Sequence, residues 1–348
     1  MMIRTMNPQF AHNMVRAIVW LAIKRPSPVQ PWVQVDSWPG LLSTERREEI
    51  KMSVPIAYIG VILIWSTTPL AIYWSSQDVG FVFGVTSRMA IGAILAMIVA
   101  ALLGNGMQWH RRAMQAYVAA GLGIYGAMLS VYWSAQFIPS GWIALIFGLT
   151  PVVTGLMARL WLQGEALTRA RLAGMFLGMA GLAVIFATGM QMDERMAFGI
   201  GGVLLAVLIH SASAVWVKRI DADVPAIVLT SGGLAVATPL FLLTWILTNS
   251  GLPVDVSART VGSIAYLALF GSVIGFALYY YVLKKVQATR VAMITLITPV
   301  TALALGNILN GEPLSLQVVL GAMLILCGLA LFEMGGQAVR VRSFFQRL

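Results

Sequence analysis

Cysteine is almost absent: Cys327 is the only one in 348 residues, and it lies in an apolar run. A disulfide framework and a cysteine-based metal site are therefore excluded. Charge is scarce too. Asp, Glu, Lys and Arg make up 10% of the chain, where ordinary globular domains carry about 25%. Only 13 residues are acidic, and none falls near the middle of a long apolar run. There is no Walker loop, no His-Glu-x-x-His pair and no hydrolase elbow. A membrane-embedded transferase would need several convergent charged or metal-binding groups near one face, and these are missing. The chain reads as a non-enzyme with no cofactor and no metal. Gly121 to Gly126 (GLGIYG) spells a dinucleotide fingerprint, but it follows no strand and lies inside an apolar run, so nucleotide binding is rejected.

What the chain does have is apolar length: 59% of residues are hydrophobic. A helix crossing a bilayer needs about 20 mostly apolar residues. Ten such runs can be read, at 54–75, 80–103, 114–136, 140–162, 170–188, 197–217, 224–248, 261–283, 289–309 and 314–334. The net charge of +10 does not mark a nucleic-acid partner, because the basic residues fall in short clusters between these runs. Arg46, Arg47 and Lys51 precede the first run, and Ser75–Val79 has none. Arg111 and Arg112 are followed by a bare Ile138–Ser140. Arg169 and Arg171, Lys218 and Arg219, and Lys284 and Lys285 then alternate with links holding only Arg195, only Arg259 or no basic residue. The tail carries Arg340, Arg342 and Arg347. This alternation places both termini in the cytoplasm.

Residues 1–51 stand apart as an N-terminal extension. Ala11–Ile23 is apolar but too short to span, and no small-residue cleavage pattern closes it. An interfacial helix, a disordered extension and an over-extended start at the gene level all fit this segment, since Met52 directly precedes the first run.

The chain repeats itself. An offset of 147 aligns Gly164–Glu165 with Gly311–Glu312, Thr168 with Ser315, Gly174 with Gly321, and Gly181-Leu-Ala with Gly328-Leu-Ala. An offset of 148 aligns Thr150–Pro151 with Thr298–Pro299 and Tyr132 with Tyr280; an offset of 145 aligns Leu63–Ser66 with Leu208–Ser211. The expected organisation is a first repeat at 52–190, a second at 191–335 and a basic cytoplasmic tail at 336–348. Five runs per copy is an odd number, so the second copy enters the membrane from the opposite side. The fold class expected is an all-α membrane protein of ten transmembrane helices in two inverted five-helix repeats. Inverted repeats are the architecture of secondary transporters.

At this point the residues resemble a known family. Tyr280, the VQATRVAMITLITP stretch ending in Pro299, Gly311–Glu312, Gly321 and Gly328 look like an EamA domain of the drug/metabolite transporter superfamily. Trp65, Arg88, Pro151, Gly164–Glu165, Gly174 and Gly181 match it in the first half. The resemblance covers about Val54 to Phe332. It implies a ten-helix carrier, often an exporter of amino acids or other small metabolites across the bacterial inner membrane, with spans 3, 4, 8 and 9 lining a central cavity.

Candidate site residues follow. His210 is the one histidine within a run and occupies the repeat position of Trp65. It reads either as a substrate or proton site or as a histidine hydrogen-bonded between helices. Tyr132, Trp142 and Tyr280 read as an interfacial belt or as cavity lining; Gln136 and Thr298 could add hydrogen bonds. Trp65, Tyr132, Gln136, Trp142, His210, Tyr280 and Thr298 form the substrate-binding set. Arg88, nine residues into its run, reads as an interhelical polar contact or a helix-end anchor, and the resemblance implies an arginine here. Its repeat position is Gly233. Pro151 and Pro299 each remove a helical hydrogen bond and shape the cavity. Glu165 and Glu312 read as structural pins for the following helices. Gly174 and Gly178 make a close-packing surface, within one half or in a dimer.

The expected function is export of a small metabolite, an amino acid or similar, by alternating access. A nucleotide-sugar or lipid-precursor carrier is the alternative. Expected partners are a small-molecule substrate, the lipid bilayer and a second copy in a homodimer, with no nucleic acid.

Overall fold

The computed structural model describes residues 53–162, 168–186, 194–248, 251, 253, 255–311 and 315–345. Among them there is no strand. The helices are α1 Val54–Ser76, α2 Phe81–Leu102, α3 Arg111–Ser134, α4 Ser140–Phe147, α5 Thr150–Leu162, α6 Arg169–Phe186, α7 Glu194–Ile220 and α8 Ala226–Leu247. Then come α9 Ala258–Tyr266, a π-helical segment Leu267–Ile274, α10 Gly275–Lys285, α11 Ala288–Ala292, α12 Ile294–Asn310 and α13 Leu316–Phe345. Residues Ile56–Leu348 form one compact unit. Seven helical runs among the described residues are long and apolar enough to cross a membrane, with α4–α5 and α9–α10 each counting as one.

Helix α2 is built the reverse of a soluble one. In α2, Met89, Ala93, Ala96 and Ala100 turn inward at 0–4% exposure, while Ile91, Ile94 and Ile98 face out at 42–56%. Lipid is as apolar as the large side chains, so exposing them there costs nothing, and close approach through small residues supplies the packing instead. In water such a face would be a docking or aggregation surface.

The contacts repeat with the sequence. Gly174 of α6 packs so tightly on the Gly328 carbonyl of α13 that no Cβ fits. Gly181 meets the Gly321 carbonyl, 2.6 Å from where its Cβ would lie. The repeat exchanges Gly174 with Gly321 and Gly181 with Gly328, so these are one contact made twice, between antiparallel helices. A second pair behaves alike. Gly141 of α4 meets Leu303 of α12, and their repeat counterparts Thr289 and Gly155 meet with 3.6 Å from the Gly155 Cβ position to the Thr289 methyl. Packing that survives exchange of equivalent residues is the mark of two halves related by a pseudo-two-fold axis. The Gly174 surface thus joins the two halves.

Helix entry is also duplicated. Thr168 Oγ1 accepts from the Arg171 amide at 3.2 Å, and Ser315 Oγ accepts from the Val318 amide at 3.3 Å. Each hydroxyl satisfies one orphan amide at the start of its helix. Gly311 closes α12 in the left-handed region, φ 64°, which a side chain would strain. Glu165 and Glu312 lie outside the described residues.

Candidate functional site

The repeat places Trp65 of α1 and His210 of α7 in equivalent positions, and in the fold they meet. Their ring centroids are 5.7 Å apart and the rings are T-shaped at 71°. Tyr279 of α10 stands 5.1 Å from Trp65 and 5.3 Å from His210. Phe147, the last residue of α4, lies 6.1 Å from His210. Four rings from four helices, two from each half, thus converge.

The backbone makes room for them. Gly275, at the start of α10, lies against the Phe270 carbonyl, 2.9 Å from a would-be Cβ, with the Trp65 indole nitrogen 3.4 Å away. Phe147 is half-exposed although the other seven residues of α4 are buried. Trp65 and His210 are half-exposed as well. Among the described residues His210 makes ring contacts and no hydrogen bond.

Chain breaks frame this cluster. Pro151 removes the hydrogen bond that would reach the Phe147 carbonyl, and Thr150 Oγ1 donates to that carbonyl instead, at 2.6 Å. Pro299 does the same to the Thr295 carbonyl, to which Thr298 Oγ1 donates at 3.3 Å. The Gly148–Leu149 turn separates α4 from α5 just before Pro151. In the second half the break falls at Met293, six residues before Pro299, and α12 runs through the proline.

The remaining candidates disperse. Tyr132 is fully buried; its hydroxyl lies 3.3 Å from Ser75 Oγ, which donates to the Ile72 carbonyl at 2.8 Å, and the Arg88 guanidinium lies 5.9 Å from its ring centre. Tyr280 is buried against Tyr279 at 5.3 Å and Phe276 at 6.4 Å, one layer behind the four-ring cluster. Trp142 is buried within α4 and Thr298 within α12. Gln136 is exposed and donates only to the Trp133 carbonyl, at 3.2 Å. Two cluster members, Phe147 and Tyr279, have no aromatic repeat counterpart: the offset of 148 pairs them with Thr295 and Val131. Repeat matching therefore favoured Tyr280, one residue along and one layer back.

GLGIYG serves packing. Gly121 lies against Val236 and the Gly233 carbonyl, and Gly123 against Ser213, with no room for a Cβ at either. Among the described residues no group of three or more His, Cys, Asp or Glu could hold a metal ion.

The two ends of the bundle differ. At one, Lys218 Nζ donates to the Leu283 and Lys284 carbonyls at 2.8 and 3.0 Å, capping α10, and Lys284 Nζ donates to the Val224 carbonyl at 2.7 Å. At the other, Asp78 of the α1–α2 link accepts from the Ser257 hydroxyl and amide and, at 2.6 Å, from Thr260 Oγ1. These bonds, the Ser257 hydroxyl first, hold the Asp78 carboxyl below the usual carboxylate range. Thr260 Oγ1 also lies 3.2 Å from the Trp74 carbonyl, and Trp74 Nε1 donates to Asn310 Oδ1 at 3.1 Å. A latch of side chains thus ties α1, α9 and α12 together.

Apolar helices of membrane length, folded as two symmetric halves around an aromatic cluster, define a multi-pass membrane protein. Residues 52–187 and again 197–334 match the model of the EamA-like transporter family, and the chain belongs to that family. An uncharacterized transporter of Archaeoglobus fulgidus is 26% identical over 77% of this chain and 94% of its own. A protein of Streptantibioticus cattleyicolor, named a probable terminal-alkyne amino-acid exporter, is 26% identical over 77% of this chain and 89% of its own. A crystal structure 20% identical in sequence aligns with a TM-score of 0.63, covering 82% of this chain and 99% of the other, which establishes the shared fold.

Proposed function

We propose that this transporter is a secondary carrier that exports a small metabolite of the amino-acid class across the bacterial inner membrane by alternating access. Ten transmembrane helices with both termini in the cytoplasm complete the reading; α6, α12 and α13 supply the three spans beyond the seven runs already counted. The meeting of Trp65 with its repeat counterpart His210 carries the proposal. A residue pair on a pseudo-two-fold axis is the place that both halves can expose in turn. Aromatic faces there suit an amphipathic solute, offering apolar area and cation-binding ring faces without a fixed negative charge. Relatives named for amino-acid efflux, including one of Escherichia coli 27% identical over 59% of this chain and 72% of its own, support the substrate class.

The test is flux of a panel of amino acids and their derivatives in proteoliposomes. Substrate-dependent efflux that an amino-acid gradient drives is expected. An absence of flux for every compound would sink the carrier reading.

A further inference from the structure

We propose that Arg88 is an anion site inside the membrane and that it takes the carboxylate of the transported compound. Arg88 stands within α2 and is 1% exposed. Its Nε donates to Ser272 Oγ at 2.9 Å, and its Nη1 has no partner among the described residues. Gly271 clears the space, since a Cβ there would lie 2.8 Å from Nη2. The described acidic side chains, Asp78, Glu194, Asp221, Asp223 and Asp255, lie in links or at a helix start, and none pairs with Arg88. A guanidinium buried without a carboxylate is costly in a membrane and is retained where it has work to do.

Packing does not require it. The repeat converts Arg88 to Gly233 and Ser272 to Ile124. In the other half Gly233 and Ile124 make the same helix contact from apolar atoms, with 3.4 Å between the Gly233 Cβ position and Ile124 Cδ1. The π-helical segment Leu267–Ile274 surrounds Ser272, whereas the equivalent residues 119–126 lie in the unbroken α-helix α3. π-Helical turns recur at functional sites. Arginine, serine and π turn occur together in one of two equivalent places, so the fold alone does not explain them. The free edge of the guanidinium fits a planar carboxylate, which accepts two N–H groups at once. The Tyr132 ring lies beside it, its centre 5.9 Å from the guanidinium carbon. Arg88 reaches substrate only when the halves part, so the assignment rests on the carrier reading above.

The experiment uses the full chain in proteoliposomes, with leucine and phenylalanine set against leucinamide and phenylalaninamide. The acids are expected to move faster than the amides, and R88Q to lower acid flux roughly tenfold or more. R88K, which keeps the charge without the fork, should retain part of the flux and supplies a folded variant if R88Q does not assemble. S272A, which frees Nε and removes the Ser272–Met89 contact, should raise KM several-fold with kcat unchanged. Amides moving as fast as acids, or a folded R88Q or R88K with wild-type flux and KM for the acids, overturns the site while leaving the carrier standing. Flux of none of the four compounds removes both. If chloride alone stabilises the wild type as much as leucine does, and R88Q loses that effect while keeping its leucine flux, the anion is inorganic and the substrate assignment falls.

Discussion

Trp65 and His210 occupy the same position in the two halves of the chain, and their rings touch edge to face at 5.7 Å. Equivalent residues can meet only on the axis that relates the halves. Substituting either one removes a face of the four-ring cluster. Contacts of this type are worth about 1 kcal/mol beyond their buried area, so W65A and H210A should each weaken substrate affinity by roughly three- to tenfold, read as KM in proteoliposomes. W65F should recover most of the loss. Unchanged pH dependence of flux in H210A would take proton coupling away from this imidazole.

Gly174 and Gly178 lie one turn apart on α6 and should respond unequally to the same change. At Gly174 a methyl group meets the Gly328 carbonyl and the Phe332 amide, whereas at Gly178 it would reach only Leu149 Cδ2, at 3.9 Å. G174A should cost about 1–3 kcal/mol, as overpacking does. G178A should be close to neutral. Melting temperatures in detergent compare the two directly.

Asp78 should matter most above its own titration range. Hydrogen bonds to the ionised carboxylate lower its pKa from the ordinary 3.8, so the stability it adds is present above that value and is lost as pH falls through the lowered one. D78N is expected to lower the melting temperature at neutral pH, with the gap to wild type closing as the pH falls below that value. A gap that persists unchanged into that range would mean the latch does not depend on the charge.

The ends of the bundle should label from opposite sides. With Cys327 replaced, a cysteine at Gln77 is expected to react with an impermeant thiol reagent added outside intact cells, and one at Arg112 only after the inner face is opened. Reaction of the Gln77 position only from the cytoplasmic face would reverse the topology.

Thr150 should be the polar residue that holds the broken span together. It gives the Phe147 carbonyl the donor that Pro151 cannot, and T150V leaves that part-buried carbonyl unpaired at a cost of about 1 kcal/mol. A smaller loss is expected from T298V, whose bond is longer, 3.3 Å against 2.6 Å. Thermal unfolding of the two variants ranks them.

The apolar runs, the duplicated caps at Thr168 and Ser315 and the proline breaks were legible in the residue order, because each depends on neighbours a few positions away. So was the pairing of Trp65 with His210 as equivalents, since repeats preserve register. Their contact was not legible, nor was the choice of Tyr279 over Tyr280 or the arrival of Phe147. Those follow from which face of each helix turns to the axis, and a uniformly apolar helix carries no periodic signal to set that rotation. Small residues set it instead, through Gly275 beside Trp65 and Gly174 beside Gly328. Arg88 stood out in the sequence as a charge in an apolar run. Its buried, half-satisfied state became visible only when the π-helical segment brought Ser272 and Gly271 against it, because a partner 184 residues away is a matter of packing and not of local chemistry.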